Sequence, residues 1–309
     1  MTERGILITG ASGLIGQTLL ARLRADGRRA TGVDLVARPG RSPVEIVDLA
    51  DIHRLHAIAD RDDIGSVIHC GAVSGPMVMV DNPYGILQVN VVGTANVLEL
   101  ARQRSARRFV FCSSTSAFGP THEPSGAAGV PEDVAPRPSS VYGATKVMGE
   151  QMLAGYRAQH GVDGVAVRLS WVYGPGRTTD CVIRGMIEDA RAGRATRLPW
   201  GRDFARQFIH VDDAVDALLA AHDAEACPRA VYTATGGTYH TLGEIAEIVA
   251  EVLGGADIEL LPGPDPLDDI HHRFDIGAIA RDLGFRPRRS LAEGIRGYAA
   301  WLRENQRTA

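Results

Sequence analysis

The sequence predicts an α/β fold, a doubly wound parallel sheet with a smaller C-terminal lobe. Through the first 170 residues, short and continuous apolar runs alternate with helix-like segments, and the alternation then gives way to turn-rich sequence. A parallel strand is buried on both faces and each parallel connection crosses over the sheet, so uninterrupted apolar runs separated by helices are its signature. At 309 residues the chain also exceeds one ordinary hydrophobic core, which leaves material for the added lobe.

The first apolar run, Gly5 to Thr9, ends at Gly10 and leads into an amphipathic helix over residues 14–25, with Ile15, Leu19, Leu20 and Leu23 at helical spacing. Four further runs follow: one ending at Asp34, one over 44–47 ending at Asp48, one over 66–69 ending at Cys70, and one over 108–112 ending at Ser113. Two long helices are expected, over 86–104 and 142–159, the second after the loop at 136–140. A strand over 165–170 precedes the turn sequence Tyr173-Gly174-Pro175-Gly176, and another strand falls at 231–233. These features divide the chain into a sheet domain, 1–170 with 207–235, and a lobe, 171–206 with 236–309. Asp212-Asp213 is expected to cap a helix running to Ala221.

Composition removes several classes of function. Apolar residues make up 45% and charged residues 23%, the balance of an ordinary globular protein. A net charge of -4 offers no basic field for nucleic acid or an anionic membrane, so neither is an expected partner. Cys70, Cys112, Cys181 and Cys227 are scattered without metal or disulfide spacing, which suits reduced thiols in a cytoplasmic protein. No apolar run has the length of a signal segment or a membrane span, so a soluble, unexported protein is expected. Asp268, Asp269, His271 and His272 cluster in sequence, but their adjacency suits a solvated loop better than a coordination sphere, and no metal is expected.

The most informative turn is Thr9-Gly10-Ala11-Ser12-Gly13-Leu14-Ile15-Gly16, where the first strand becomes the first helix. A pyrophosphate needs backbone N–H groups at a helix N-terminus and a turn with no Cβ in the way, which Gly10, Gly13 and Gly16 provide around Ser12, Leu14 and Ile15. This is the dinucleotide-binding arrangement of a Rossmann fold, and a tight turn is the plainer alternative. Asp34, at the end of the second strand, is placed to accept both ribose hydroxyls and repel a 2'-phosphate, favouring NAD over NADP, with Arg38 nearby as a counterweight. Asp48 and Leu49 are placed to meet the adenine, with helix capping as an equal alternative for Asp48. Cys70, Gly71 and Ala72 would let the backbone approach the dinucleotide.

Tyr142 and Lys146 stand four residues apart, hence on one face of a helix. A phenol is a poor base at neutral pH, and a neighbouring ammonium favours its ionised form. A surface pair is the common outcome of this spacing, so the context matters. Ser113, Ser114 and Thr115 leave the fifth strand at the carboxyl edge of the sheet, where open α/β folds bind ligands and a hydroxyl can hold a reacting oxygen.

Taken in order, TGASGLIG at 9–16, Asp34, Asp48-Leu49, QVNVVGTANVLE at 88–99, SSTSAFG at 113–119 and SSVYGATKVMGE at 139–150 make a pattern. VRLSWVYGPGR at 167–177, RQFIHVDDAVDALL at 206–219 and FDIGAIARDLGFRP at 274–287 complete it. Over nearly its whole length the chain resembles the extended short-chain dehydrogenase/reductase family, in its NAD-dependent sugar epimerase and dehydratase branch. The resemblance implies a bound NAD, with Tyr142 as catalytic base, Lys146 as its partner and ribose ligand, and Ser114 as the catalytic hydroxyl. It further implies Asn90 in the cofactor and active-site scaffold, and Ser74, Thr115, Trp171 and Arg206 toward the substrate. A homodimer through the two long helices is also implied.

Departures from the family pattern narrow the reaction. Dehydratases place an Asp-Glu pair where this chain has Thr115 and Ser116, so dehydration is disfavoured. Phe118 replaces a tyrosine, Trp171 replaces an asparagine used near a substrate diphosphate, and 266–273 lacks an Arg-Pro-Gly-Asp run. The expected function is therefore an NAD-dependent oxidoreductase or epimerase acting on a hydroxyl of a sugar or sugar acid, with Arg206 and Arg177 left to grip any charge. A nucleotide-sugar 4-epimerase is one alternative, and a non-catalytic NAD-binding sensor or scaffold is another.

Overall fold

The computed structural model describes residues 4–124 and 129–305. In chain order the N-terminal half runs β1 (Gly5–Thr9), α1 (Leu14–Ala25), β2 (Ala30–Asp34), β3 (Glu45–Ile46), α2 (Ile52–Arg61) and β4 (Ile64–His69). It continues through α3 (Pro83–Leu87), a π turn (Gln88–Val92), α4 (Gly93–Gln103), β5 (Phe109–Ser114), a 3₁₀ turn (Thr115–Ala117), α5 (Val141–His160) and β6 (Gly164–Leu169). The remainder is β7 (Trp171–Tyr173), α6 (Val182–Arg191), β8 (Thr196–Leu198), β9 (Ala205–Arg206), β10 (Phe208–His210), α7 (Val211–Asp223) and β11 (Val231–Ala234). β12 (His240–Thr241), α8 (Leu242–Leu253), β13 (Ile258–Leu260), α9 (Gly277–Leu283) and α10 (Leu291–Asn305) complete the chain.

Seven parallel strands form the central sheet in the order β11-β6-β5-β4-β1-β2-β3. Winding proceeds outward from β1 in one direction and from β4 in the other, so a crevice opens between the carboxyl ends of these two strands. Alternation along β1 serves both faces. Ile6 and Ile8 join a core beneath α1, α7 and α9, while Leu7 joins one beneath α2, α4 and α5. β7 pairs with β10, β9 with β12 and β8 with β13, and α6, α8 and α10 enclose a third core around Ile183, Ile245 and Ile295. No helix among the described residues is long and apolar enough to cross a membrane.

Several boundaries differ from expectation. The helix expected from residue 86 begins at Pro83, after the cap Asn82, and is broken by the π turn. The fifth strand extends through Ser114, the fourth starts at Ile64, and the third shrinks to Glu45–Ile46. Residues 276–285, expected in the lobe, return to the sheet: Ala278, Ile279 and Phe285 pack in the core with α7 and β11. Asp212 and Asp213 do not cap α7. That role falls to His210, whose ring accepts the Asp212 N–H, while the buried Asp213 accepts the N–H groups of Arg288 and Arg289 and pairs with the Arg289 guanidinium. The loop at 264–273 is exposed at Leu267 and Ile270 but turns several polar side chains inward. Asp265, Asp268 and His271 have buried side chains, and no group of three or more potential metal ligands occurs among the described residues.

Candidate active site

A cleft of about 640 Å³ opens at the carboxyl ends of β1, β2, β4, β5 and β6. Its floor begins at Gly10, whose φ of +66° is the left-handed conformation glycine tolerates. A Cβ there would also lie 2.7 Å from the backbone of Cys70 and Gly71, so the glycine lets the loops after β1 and β4 close on each other. α1 starts immediately beyond, and its N-cap Gly13 provides no side-chain cap. The first N–H groups of the helix are thereby left for an anion in the cleft. Gly16, Leu14 and Ile15 line the same wall.

Asp34 ends β2 with its carboxylate held in place, Oδ2 accepting the Ser12 N–H at 2.9 Å and Oδ1 that of Val36 at 3.3 Å. Asp48 accepts the Ala50 N–H while still facing the cleft beside Leu49, and Asp51, not Asp48, caps α2. Behind Cys70, Gly71 and Ala72 lies His69, fully buried between the hydroxyls of Thr9 (2.6 Å) and Thr94 (2.9 Å). Burial, reinforced by the nearby Lys146 ammonium, pushes its imidazole down to about 3, so it is a neutral strut joining β1, β4 and α4.

At the opposite end of the cleft, α5 brings its first turn against the 3₁₀ turn after β5. Ser140 caps the helix by accepting the Gly143 N–H at 3.1 Å. Gly143 then lies so close to the carbonyl oxygen of Ser116 that any Cβ would collide with it. This contact sets Tyr142 and Lys146 beside Ser114. Lys146 Nζ donates to the Cys112 carbonyl oxygen at 2.8 Å and lies 5.6 Å from the Tyr142 ring centre. Ser114 Oγ accepts the Ser116 N–H at 3.1 Å and lies 3.2 Å from the Ser116 hydroxyl. One turn further, Glu150 forms a buried double ion pair with Arg168 of β6, with contacts of 2.8 and 2.6 Å, and accepts the Ser113 hydroxyl at 2.6 Å. That network pins α5 to β5 and β6.

The structure thus gathers Gly10, Ser12, Gly13, Leu14, Ile15, Gly16, Asp34, Asp48, Leu49, Cys70, Gly71, Ala72, Ser74, Ser113, Ser114, Thr115, Tyr142, Lys146 and Trp171 around one cleft. Two expected contributors stand outside it. Asn90 sits in the π turn with its amide fully used: Oδ1 accepts the Val73 N–H at 2.8 Å, and Nδ2 donates to the Val73 carbonyl and to Thr145 Oγ1, both at 3.0 Å. It is a brace between the loop after β4 and α5. Arg206 is buried in ion pairs with Asp265 and Asp268 and does not reach the cleft wall. The sequence reading had not singled out Gly143, Glu150, Arg168 or Ser170. A glycine in the first turn of a helix, where it is a poor helix former, was the available signal for the first.

A family model described as the NAD dependent epimerase/dehydratase family matches residues 6–233. The chain belongs to that family. It is similar to a UDP-glucose 4-epimerase of Mycolicibacterium smegmatis, with 30% identity over 302 residues covering 94% of this chain and 95% of that one. Among solved structures it resembles MoeE5 in complex with UDP-glucuronic acid and NAD, at 28% identity and a TM-score of 0.86, covering 97% and 99% of the two chains. A partial-consensus L-threonine 3-dehydrogenase shares 26% identity with the same TM-score and coverage. This epimerase/dehydratase family member is therefore an enzyme with NAD as cofactor. The cleft suits that molecule: uncapped N–H groups at α1, a glycine turn closed against the Cys70 loop, and a fixed carboxylate at the end of β2.

Proposed function

We propose that the enzyme oxidises a secondary hydroxyl of a sugar or sugar derivative, with Tyr142, Lys146 and Ser114 carrying the proton chemistry. The single supporting observation is the close apposition of Gly143 to Ser116, which puts all three side chains at one end of the glycine-loop cleft. Tyr142 takes the proton from the substrate hydroxyl. Ser114 Oγ, oriented by the Ser116 N–H, hydrogen-bonds the same oxygen and stabilises its growing negative charge. Lys146, fixed by the Cys112 carbonyl, supplies a positive charge beside the phenol and a donor toward the cofactor ribose. Bound NAD supplies the hydride acceptor and, in the return direction, the donor. With Thr115 and Ser116 following Ser114, no carboxylate stands there to drive an elimination.

Release of the ketone makes the enzyme a dehydrogenase; return of the hydride to the other face makes it an epimerase. The activity named for the M. smegmatis relative favours a second reading, a nucleotide-sugar 4-epimerase using the same three residues. Incubation with sugars, sugar acids and nucleotide sugars, scored for reduced nicotinamide absorbance and for epimers, is expected to give turnover with at least one. Bound NAD with no turnover across the whole panel would remove sugar hydroxyls from the candidate substrates.

We further propose a homodimer. α4 and α5 lie side by side on one sheet face, and Tyr84, Val92 and Met148 are exposed along the α3, π-turn and α5 surface. Pairing across a two-fold axis would bury them in a four-helix contact. Light scattering at micromolar concentration is expected to give twice the chain mass, and a monomer alone would end the idea.

A further inference from the structure

We infer that the substrate is an uncharged, polyhydroxylated small molecule, a free sugar or polyol, and that neither a diphosphate nor a carboxylate occupies its distal end. This rests on the hydride-transfer reading above and narrows its substrate. A second hollow of about 260 Å³ adjoins the cleft at Ser116, which lines both spaces. Ser139, Ser140, Asp268 and Asp269 supply its polar surface, and no Lys or Arg lines it among the described residues.

The two arginines expected to hold a charged substrate already have partners within the protein. Arg206 Nε donates to Asp268 Oδ2 at 2.9 Å and its Nη2 to Asp265, with both carboxylates as buried as the guanidinium. Its flat face lies 4.3 Å from the Trp171 ring, and Phe204 and Phe208 flank it. Trp171 Nε1 donates to the same Asp268 oxygen at 2.8 Å, so the ring and the carboxylate lock one another. An anion drawn to Arg206 would meet a guanidinium whose single positive charge is already offset by two buried carboxylates. Arg177 is likewise occupied by carbonyl oxygens of its own loop, from Val172, Thr179 and Asp180. In the second hollow, then, an incoming anion meets Asp268 and Asp269 and no Lys or Arg in the lining among the described residues.

Hydroxyl groups find what anions do not. Asp268 Oδ1 accepts only the Asp269 N–H at 3.1 Å, Asp269 accepts the Ser139 hydroxyl at 2.6 Å, and both carboxylates retain unused lone pairs. An independent sign of a polar ligand comes from Ser170. Its side chain, on the cleft wall between Leu169 and Trp171, is 5% exposed, and its Oγ is buried with no hydrogen-bond partner. A buried hydroxyl without a partner is unfavourable, and a substrate hydroxyl beside it would provide one.

The experiment uses the NAD-loaded enzyme and a matched set: neutral hexoses and pentitols, the corresponding sugar acids, amino sugars, and UDP. Calorimetry is expected to show no micromolar binding of UDP, and kcat/KM for a neutral member should exceed that of its acid by about tenfold or more. Micromolar UDP binding, or an acid or amino sugar preferred by about tenfold, overturns the inference. In Asp268→Asn, where one carboxylate charge is removed from Arg206, the ratio of acid to neutral kcat/KM is expected to rise by about tenfold. An unchanged ratio in a folded variant also overturns it, and if that variant does not fold, the wild-type measurements decide. Tyr142-dependent turnover that prefers a sugar acid would sink this inference and leave the proposed reaction standing. Turnover indifferent to Tyr142 would sink the reaction instead.

Discussion

Tyr142→Phe is expected to lower kcat by a factor of about 10² to 10⁴, the usual contribution of a positioned acid-base group, while NAD still binds. Only the hydroxyl is lost. The ring is 7% exposed and keeps its place in the first turn of α5 because Gly143 and Ser140 hold that turn, not the phenol. Lys146 keeps its bond to the Cys112 carbonyl, so the ribose side of the cleft is unchanged. Steady-state rates with any active substrate, together with NAD titration by fluorescence, make the measurement. A variant that turns over near the wild-type rate removes Tyr142 from the chemistry, and one that loses NAD shows that the phenol has a structural role instead.

The second large effect is on stability. Glu150→Gln leaves the Arg168 guanidinium, 4% exposed, without a counter-charge and disturbs the Ser113 hydroxyl that also bonds Glu150. Breaking a buried ion pair by removing one partner costs about 3–5 kcal/mol, whereas replacing both partners with apolar groups of similar volume is often close to neutral. Urea denaturation should therefore place Glu150→Gln lower by that amount and Glu150→Leu/Arg168→Met much nearer the wild type. A loss below about 1 kcal/mol in the single variant would mean that water or a shifted backbone compensates Arg168.

What could be read from sequence followed distance along the chain. The strand, glycine turn and helix at 5–25 are contiguous, and Tyr142 and Lys146 are one helical turn apart, so local spacing showed the first and, with the surrounding motifs, the second. Arg206 shows the opposite case. Its motif suggested a hand for the substrate, but the partners that hold it, Asp265 and Asp268, arrive 59 and 62 residues later from a loop with no periodic pattern. The brace at Asn90 depends on a π turn and on Val73 and Thr145, contacts that no local rule connects. The stretch that forms α9 was assigned to the lobe with the rest of 236–309, and nothing in its local sequence says which core Ile279 will enter.

The return of α9 to the sheet matters for how the protein is made. A ribosome delivers the glycine loop, Ser114 and the Tyr142 helix first, but β6 remains an open edge until Val231–Ala234 emerges to pair with it. The apolar face beneath α1 and α7 gains its last cover only when Ile279 and Phe285 have been added, after the whole of α6 and α8 has been synthesised. A nascent chain therefore carries a nearly assembled catalytic centre on an unfinished platform, with an unpaired strand and bare hydrocarbon side chains exposed together. Between Leu169 and Phe285 lies the stretch of chain that closes both the edge of β6 and the apolar face beneath α1.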